Sequence, residues 1–228
     1  MDTKDCNQYG LKLWNNREKL EIGLDECARG CMLGRTYMAC VAWSNDFLEE
    51  SIDDPEYDWL HDIRDSKKMT AKKRELIAEY IKEYALDYNI QWADEKEIDK
   101  VNILNAVQNG FHKCIENLQF IPDKIFVDGT IFRPYYDLEF NVISHECLEG
   151  GDNKYLSIAS ASILAKVEHD KYIKELCDKY PILSERYGIS DNMGYGTAKH
   201  MDGIKQYGIT QFHRRTFGIC KTAKLESI

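Results

Sequence analysis

The sequence predicts an α/β fold in which a mixed β-sheet is flanked by helices. Short apolar, strand-like runs alternate with longer helical patterns, and the chain has no internal repeat or low-complexity linker. Hydrophobic residues make up 43% of the 228 residues and charged residues 30%, which is typical of a globular protein. We therefore expect one domain over residues 1–228, with an α/β core over about 20–180 and a helical C-terminal part over about 181–228.

The first part of the chain predicts two strands and a loop. The apolar run Leu20–Leu24 predicts a buried strand that ends before Asp25–Glu26. Thr36–Trp43 is rich in aromatic and β-favouring residues and predicts a second strand. Asp46–Asp58 is acidic and contains Pro55, so we expect a solvated loop there.

The middle of the chain predicts two helices. After Thr70, apolar residues recur at helical spacing as far as Tyr88. A second helix is expected over about Glu95–Leu118, with its apolar residues on one side.

The next segment predicts strands that end near acidic residues. Lys124–Val127 is a short apolar strand that leads directly into Asp128. Phe140–Ser144 is a further strand candidate, and Gly150–Asp152 is a turn.

The C-terminal third is predominantly helical. A long helix is expected over about Tyr155–Lys179, and the small residues in its first half permit close approach by a neighbouring backbone. A glycine-rich loop at Gly194–Gly196 precedes a short helix over Thr197–Tyr207, and a basic segment follows at His213–Arg215.

Charge and targeting signals restrict the possible functions. The net charge of −9 and the pI near 5.2 argue against general phosphate binding, so any nucleic-acid function must depend on local features. No apolar run is long enough to span a membrane, and the N-terminal residues lack the apolar core of a signal peptide. The eight scattered cysteines show no zinc-binding spacing, so we expect reduced thiols and a cytoplasmic location.

Acidic residues follow several of the predicted strands and turns. Asp25 and Glu26 follow one strand, Asp128 follows another, and Asp152 lies in a turn before a helix. Carboxylates that converge at strand ends repel one another unless cations bind, and hard oxygen ligands favour Mg²⁺ or Mn²⁺. Successive side chains of a strand point to opposite faces, so Glu26 should already lie in the turn. The alternative is that these are ordinary surface acids.

Seven segments resemble the signature segments of ribonuclease HII, the type 2 ribonuclease H family. They occur in the family's order and cover roughly Leu20–Cys220. The segments are Gly23–Gly30, Asp65–Thr70, Glu97–Ile103, Val127–Gly129, Gly151–Lys166, Gly194–Thr197 and His213–Phe217.

The resemblance implies a ribonuclease H-like mixed sheet and a two-metal endonuclease. Asp25 is expected to bridge two Mg²⁺ or Mn²⁺ ions, with Asp152 completing one shell and Glu26 and Asp128 the other. The expected reaction cuts RNA/DNA hybrids, and duplex DNA on the 5′ side of an embedded ribonucleotide, leaving 3′-hydroxyl and 5′-phosphate ends. Asp170 is an alternative fourth ligand, but the family pattern favours Asp152 and a structural role for Asp170.

The resemblance also implies how the substrate is recognised. Backbone groups of the turn formed by Ala28, Arg29 and Gly30 are expected to contact the ribose 2′-hydroxyl, which distinguishes RNA from DNA. Tyr195 is expected to contact the same hydroxyl and to stack on the following deoxyribose, although a tyrosine between glycines equally fits turn packing. Phosphate contacts are expected from Ser66, Lys67 and Lys68, for which a solvated loop is the alternative.

Three positions depart from the family pattern. Ala28 stands where the family usually has glycine, and a positive φ there costs about 1 kcal/mol. Gly150 and Met193 replace lysines, which suggests weaker phosphate binding. These departures leave the four carboxylates intact and concern the preference for single ribonucleotides rather than catalysis.

Two other functions remain open at this stage. One is a hybrid-degrading nuclease with weak single-ribonucleotide activity, similar to ribonuclease HIII, which carries an additional N-terminal substrate-binding domain. The other is a non-catalytic nucleic-acid-binding subunit, although a binder gains nothing from four carboxylates facing phosphates. No protein partner is indicated, and we expect a monomer. Arg214 and Arg215 are expected to pair with acids rather than to belong to the site.

Overall fold

A computed structural model describes residues 5–226 and contains a five-stranded mixed sheet. The strand order is β3-β2-β1-β4-β5, and both β1–β4 and β4–β5 pair in parallel. In the register of these pairs, Leu24 lies beside Val127, and Asp128 lies beside Leu148. The strands are β1 (Glu21–Cys27), β2 (Thr36–Ala42), β3 (Asp87–Ala93), β4 (Lys124–Asp128) and β5 (Ser144–Leu148).

Helices account for most of the remaining regular structure. The longest is α5, which begins at Leu156 and ends at Lys179. The other α-helices are α1 (Asn45–Ser51), α2 (Ala71–Tyr84), α3 (Glu95–Val101), α4 (Ile103–Glu116), α6 (Ile182–Tyr187), α7 (Ile189–Asn192) and α8 (Ala198–Tyr207).

Helix α5 packs directly on β1, as its small residues predict. An added Cβ on Gly23 would lie 2.3 Å from the Ile158 nitrogen and the same distance from the Ser157 carbonyl carbon. Only glycine allows β1 to lie this close to the helix backbone. The predicted strands at β2 and β4 and the predicted helices at α5 and α8 are confirmed.

The predicted loop at Asp46–Asp58 is wrong. Residues Asn45–Ser51 form α1, and a 3₁₀ helix follows at Pro55–Asp62. The Ser44 hydroxyl accepts a hydrogen bond from the Phe47 backbone N–H and caps α1. The Phe47 ring stacks on Tyr84 with centroids 5.9 Å apart, and this tertiary contact outweighs the acidic composition of the segment.

The single helix predicted over Glu95–Leu118 is two helices. Asn102 has φ 66° and ψ 162°, which ends α3 and separates it from α4. The Asn102 side chain accepts a hydrogen bond from Asn105 N, 3.0 Å away, so the residue caps the second helix. The apolar periodicity continues through the break and therefore gives no signal of it.

The two edge strands differ most from the sequence prediction. Helix α2 ends at Tyr84 rather than at Tyr88, which lies instead in β3. The strand predicted at Phe140–Ser144 begins only at Ser144, because the preceding residues form a hairpin in which Tyr136 bridges Val142.

The chain divides into two compact units, each with its own apolar core. The first comprises Met1–Glu26, Met38–Gln91 and Phe111–Val167, and the second comprises Cys27–Tyr37, Trp92–Gly110 and Glu168–Ile228. In the first unit, Phe126, Tyr155 and Ile158 form one buried cluster. The core of the second unit includes Leu33, Ile173, Leu183, Tyr187 and Ile204. The single domain expected from the sequence stays a prediction.

Over residues 5–226, none of the helices combines the length and the apolar character that crossing a membrane requires.

Candidate active site

Both acids of the first predicted pair lie within β1. The strand runs as far as Cys27, so the expectation that Glu26 already belongs to a turn is wrong. The parallel pairing of β1 with β4 reaches Leu24, and the strand continues past this predicted end to Cys27. Side chains alternate along a strand, so Asp25 and Glu26 point to different sides of β1. The Asp25 side chain is buried and Glu26 is half-buried.

Asp25 is a carboxyl group in a polar but buried position. Its Oδ1 accepts a hydrogen bond from the Glu26 backbone N–H at 2.7 Å, and the Ser162 hydroxyl also hydrogen-bonds it. Burial, followed by the negative charges of Glu26 and Asp128, raises the pKa of Asp25 well above its ordinary value. The local environment therefore disfavours the anion unless positive charge is supplied.

Asp128 and Asp152 are connected through the backbone of the turn before α5. Asp128 is the last residue of β4, and its Oδ1 accepts a hydrogen bond of 2.7 Å from Gly151 N. Asp152 is buried, and its Oδ1 accepts from the Asn153 side chain at 2.8 Å. Burial, Asp65 and Asp128 raise the pKa of Asp152. Gly150 has φ 63°, a conformation that favours glycine over the family's lysine.

The loop before α2 places one cation beside these acids. Burial lowers the pKa of Lys67, but nearby carboxylates, Asp152 first and Asp25 second, outweigh burial and leave it raised. Ser66 is buried, and its Oγ lies 3.0 Å from the Oγ of Ser162, the residue that hydrogen-bonds Asp25. The expected phosphate contact of Ser66 therefore requires its hydroxyl to leave this pair.

In the second unit, residues 28–31 form the expected turn. The Cys31 N–H donates to the Ala28 carbonyl at 3.2 Å, and Ala28 has φ 67°. Ala28 therefore adopts the backbone conformation that favours the family's usual glycine. Alanine in this conformation costs about 1 kcal/mol. Arg29 and Gly30 are exposed on the surface of the turn.

The loop that carries Tyr195 packs beside this turn. An added Cβ on Gly30 would lie 4.0 Å from the Tyr195 ring, so the two predicted recognition elements are brought together. An added Cβ on Gly194 would lie 2.6 Å from the Leu33 carbonyl oxygen, and Gly194 has φ 85°. Glycine is therefore required where the two backbones meet. The Tyr195 side chain is 40% exposed, which leaves part of the ring available to a ligand.

Comparison with known proteins identifies the family. A model of the ribonuclease HII family matches residues 22–220. The chain belongs to the ribonuclease HII family.

Relatives match this member of the ribonuclease HII family over most of its length. Ribonuclease HII of Parabacteroides distasonis is 39% identical over 199 residues, covering 87% of this chain and 90% of that protein. Ribonuclease HII of Bacteroides fragilis is 37% identical, covering 93% and 96% respectively. The crystal structure of ribonuclease H2 from Pyrococcus horikoshii has a TM-score of 0.67 and 25% identity, covering 88% of this chain and 95% of that one.

These similarities confirm the ribonuclease H-like fold and an endonuclease of the ribonuclease H type. Enzymes of this type depend on divalent metal ions and act on RNA/DNA substrates. The alternative hypothesis, that the chain is a non-catalytic nucleic-acid-binding subunit, is thereby excluded. The expected monomer stays a prediction.

The acidic residues of the first unit fit divalent cations by their donor chemistry. Asp25, Glu26, Asp128 and Asp152 offer carboxylate oxygens, the ligands that Mg²⁺ and Mn²⁺ prefer. The raised pKa values of Asp25 and Asp152 show that burial and neighbouring acids disfavour the anions, which cations would relieve. Between residues 5 and 226, no three His, Cys, Asp or Glu side chains already form a closed metal-ligand set.

Several contributing residues were missed or misassigned from the sequence. Ser162 contacts Asp25, and the Asp65 carboxylate accepts a 3.0 Å hydrogen bond from Lys67 N. Both belong to quoted family segments, but only their contacts reveal what they do. Arg214 does not pair with acids as expected, because its guanidinium donates to backbone carbonyls. Asp170 lies on α5 with its Oδ1 3.1 Å from the His169 Nδ1.

Proposed function

We propose that this ribonuclease HII hydrolyses the RNA strand of RNA/DNA hybrids and cuts duplex DNA on the 5′ side of embedded ribonucleotides. The products would carry 3′-hydroxyl and 5′-phosphate ends. The observation that best supports this proposal is the set of acids at β1, at β4 and in the turn before α5, where burial and neighbouring carboxylates raise the pKa values of Asp25 and Asp152.

The proposed metal ligands are the four acids of the first unit. Asp25 would contact both ions, with Asp152 completing one shell and Glu26 and Asp128 the other. When bound, divalent cations lower the pKa of a water molecule and neutralise charge that develops on the phosphodiester oxygens.

Residues near the acids would fix their orientation and bind the substrate backbone. The hydroxyl of Ser162 holds Asp25 and is itself paired with Ser66 Oγ, so both serines orient the central ligand. The Gly151 backbone N–H fixes one oxygen of Asp128. Lys67 is an exposed residue, and its ammonium group would contact a phosphate near the scissile bond, where positive charge stabilises the anion.

The turn and the tyrosine loop of the second unit would recognise the ribonucleotide. Arg29 and Gly30 are exposed residues whose backbone groups would contact the 2′-hydroxyl, while the Arg29 side chain would provide charge for a phosphate. The partly exposed Tyr195 ring would stack on the deoxyribose that follows the ribonucleotide. Asp25 and Glu26 closely precede this turn in sequence.

The strain at Ala28 favours a second candidate. A turn that holds alanine at φ 67° is about 1 kcal/mol less favourable than one that holds glycine. An enzyme with this turn would degrade continuous hybrids while cutting poorly at isolated ribonucleotides, where a single 2′-hydroxyl contact must suffice.

Cleavage assays on three duplexes test both candidates. One duplex carries a single ribonucleotide, the second is a continuous RNA/DNA hybrid, and the third is DNA alone, each with Mg²⁺ and with Mn²⁺. The proposal expects cuts on the 5′ side of the ribonucleotide, 5′-phosphate ends, no cutting of DNA, and loss of all activity in Asp25→Asn. The matched variant Asp178→Asn changes an exposed acid and should remain active. Cleavage of the hybrid alone would favour the second candidate, and activity without any divalent ion would contradict the mechanism.

A further inference from the structure

Arg214 is a fully buried arginine whose guanidinium donates only to neutral acceptors. The Nε donates to the carbonyl of Gly34, Nη1 to that of Arg29 and Nη2 to that of Ala28, each at 2.9 Å. Burial lowers the pKa of Arg214, so holding the cation here is unfavourable in itself. The buried charge is satisfied by two carbonyls of the turn at residues 28–31 and by the carbonyl of Gly34, which indicates that the turn needs this geometry.

Planarity of the peptide group extends the effect of Arg214 to the other side of the turn. In a trans peptide the C=O and the following N–H point in opposite directions. No residue of the chain has a cis peptide bond in the described range 5–226. The guanidinium that binds the Ala28 and Arg29 carbonyls therefore directs the N–H groups of Arg29 and Gly30 away from itself. These two donors belong to residues that are exposed on the surface of the turn.

The residue before Arg214 supports the neighbouring tyrosine loop. The His213 Nε2 lies 3.1 Å from the Nε2 of His200, whose Nδ1 lies 2.9 Å from the Tyr195 carbonyl oxygen. The Arg214 backbone N–H donates to the Met32 carbonyl, and Met32 N donates to the Gly194 carbonyl at 2.8 Å. The segment His213–Arg214 thus contacts the turn directly and is connected to the tyrosine loop through His200 and Met32.

We propose that Arg214 is a positioning residue that orients the backbone donors of Arg29 and Gly30 toward the ribose 2′-hydroxyl. This inference rests on the proposed function, because it assumes that the turn reads the ribonucleotide. Arg214 itself touches no substrate. It also holds the unfavourable φ of Ala28, since one of its three hydrogen bonds is to that residue's carbonyl.

The test compares Arg214→Lys with the control Arg215→Lys. Lysine keeps the charge at position 214 but cannot reach three carbonyls with fixed, planar donors. Arg215 is the adjacent, exposed arginine, and the same substitution there should leave activity unchanged. For each protein, kcat and KM are measured on the single-ribonucleotide duplex and on the continuous hybrid, at a fixed interval below its own melting temperature.

We expect Arg214→Lys to lower kcat/KM at the single ribonucleotide about tenfold more than on the hybrid, an effect comparable to the loss of one or two hydrogen bonds. Millimolar guanidinium chloride, compared with sodium chloride at equal concentration, should partly restore the ratio of the two activities in Arg214→Ala. An unchanged ratio in Arg214→Lys, or an equal loss on both substrates, would overturn the inference. If Arg214→Lys does not fold, Arg214→Gln is judged by the same ratio. Failure of the wild type to cut at the ribonucleotide would instead contradict the proposed function.

Discussion

The carboxylate cluster and the recognition turn satisfy their polar groups in opposite ways. Burial, followed by the charges of neighbouring carboxylates, raises the pKa values of both Asp25 and Asp152. In the turn, the Arg214 cation is satisfied by backbone carbonyls, and His213 lies beside His200 with its pKa held low. The first region is electrostatically incomplete without added cations, whereas the second is complete within the protein.

This difference fits the role that we propose for each region. A metal site must keep negative charge available, so it retains repulsion in the folded protein until cations bind. A recognition turn gains by being rigid before the substrate arrives, because ordering it during binding would weaken the complex. Stability and activity should therefore change strongly when metal ions bind the proposed ligands or when one of these acids is neutralised. Substitutions that alter hydrogen bonding or shape should act mainly through the turn.

The largest expected effect is the loss of catalysis when one ligand is neutralised. We expect Asp152→Asn to lower kcat by about a thousandfold or more, which corresponds to about 4 kcal/mol in the activation barrier. Cleavage of the continuous hybrid under single-turnover conditions measures this. The variant Asp170→Asn, which alters an acid paired with His169, should keep measurable activity. If instead Asp152→Asn is active and Asp170→Asn is folded but inactive, then Asp170 and not Asp152 is the metal ligand.

The second effect concerns the stability of the second unit at low pH. Burial, then His200, lowers the pKa of His213 to about 3, while an unfolded histidine titrates near 6.5. The unfolded state therefore binds more protons below pH 6.5, and the stabilising contribution is complete above that pH and lost progressively toward pH 3. Between pH 7.5 and 5 the loss attributable to His213 should be about 2 kcal/mol.

Urea unfolding of wild type and His213→Gln at these two pH values measures that loss. Glutamine retains hydrogen-bonding groups but does not titrate, so the variant should lose less stability than wild type on acidification. The comparison between the two proteins removes the common effect of the carboxylates. Equal losses in both proteins would show that His213 is not held neutral by its surroundings.

The third effect separates junction recognition from loop packing at Tyr195. Removal of the aromatic face in Tyr195→Ala should reduce cleavage at a single ribonucleotide about tenfold relative to the continuous hybrid, because a methyl group cannot stack. Tyr195→Phe retains the ring and should preserve more of that ratio. If Tyr195→Ala lowers both activities equally, the side chain only packs the loop, and recognition lies elsewhere.

The smallest effect is expected from relieving strain in the turn. Ala28→Gly removes the cost of a positive φ and should raise cleavage at a single ribonucleotide several-fold relative to the hybrid, if the ~1 kcal/mol acts in the transition state. Both rates are measured at one salt concentration, because phosphate contacts make binding salt-dependent. A decrease in the ratio of the single-ribonucleotide rate to the hybrid rate would mean that the contact of Arg214 with the turn depends on the backbone conformation that alanine gives it.

The central strands were predictable and the edge strands were not. Strands β1, β2 and β4 occupy the middle of the sheet, and their buried residues give a strong apolar signal. Strands β3 and β5 lie at the edges and are mostly half-buried or exposed, so their composition resembles that of loops. Helices α5 and α8 were predictable from length and from the Thr197 cap respectively.

In the candidate site, too, short sequence motifs identify some residues, whereas contacts between segments far apart in sequence are seen only in the structure. The positions of Asp25, Asp128 and Asp152 follow from short motifs that resemble the family. The contacts of Ser162 with Asp25 and of Arg214 with the turn join segments that are more than 130 residues apart. No local pattern encodes such contacts, so the structure was needed to assign them. The strand position of Glu26 likewise depends on the pairing of β1 with its neighbours.

The most direct test of this account is the thermal stability of wild type and Asp25→Asn, each with excess EDTA and with Mg²⁺. If buried carboxylates destabilise the metal-free protein, Asp25→Asn should melt at or above the wild-type temperature in EDTA. Mg²⁺ should then raise the wild-type melting temperature by several degrees, given about 2–4 °C per kcal/mol for a chain of this size. The variant should respond much less. The account is contradicted if Asp25→Asn melts well below wild type in EDTA and both proteins gain equally from Mg²⁺.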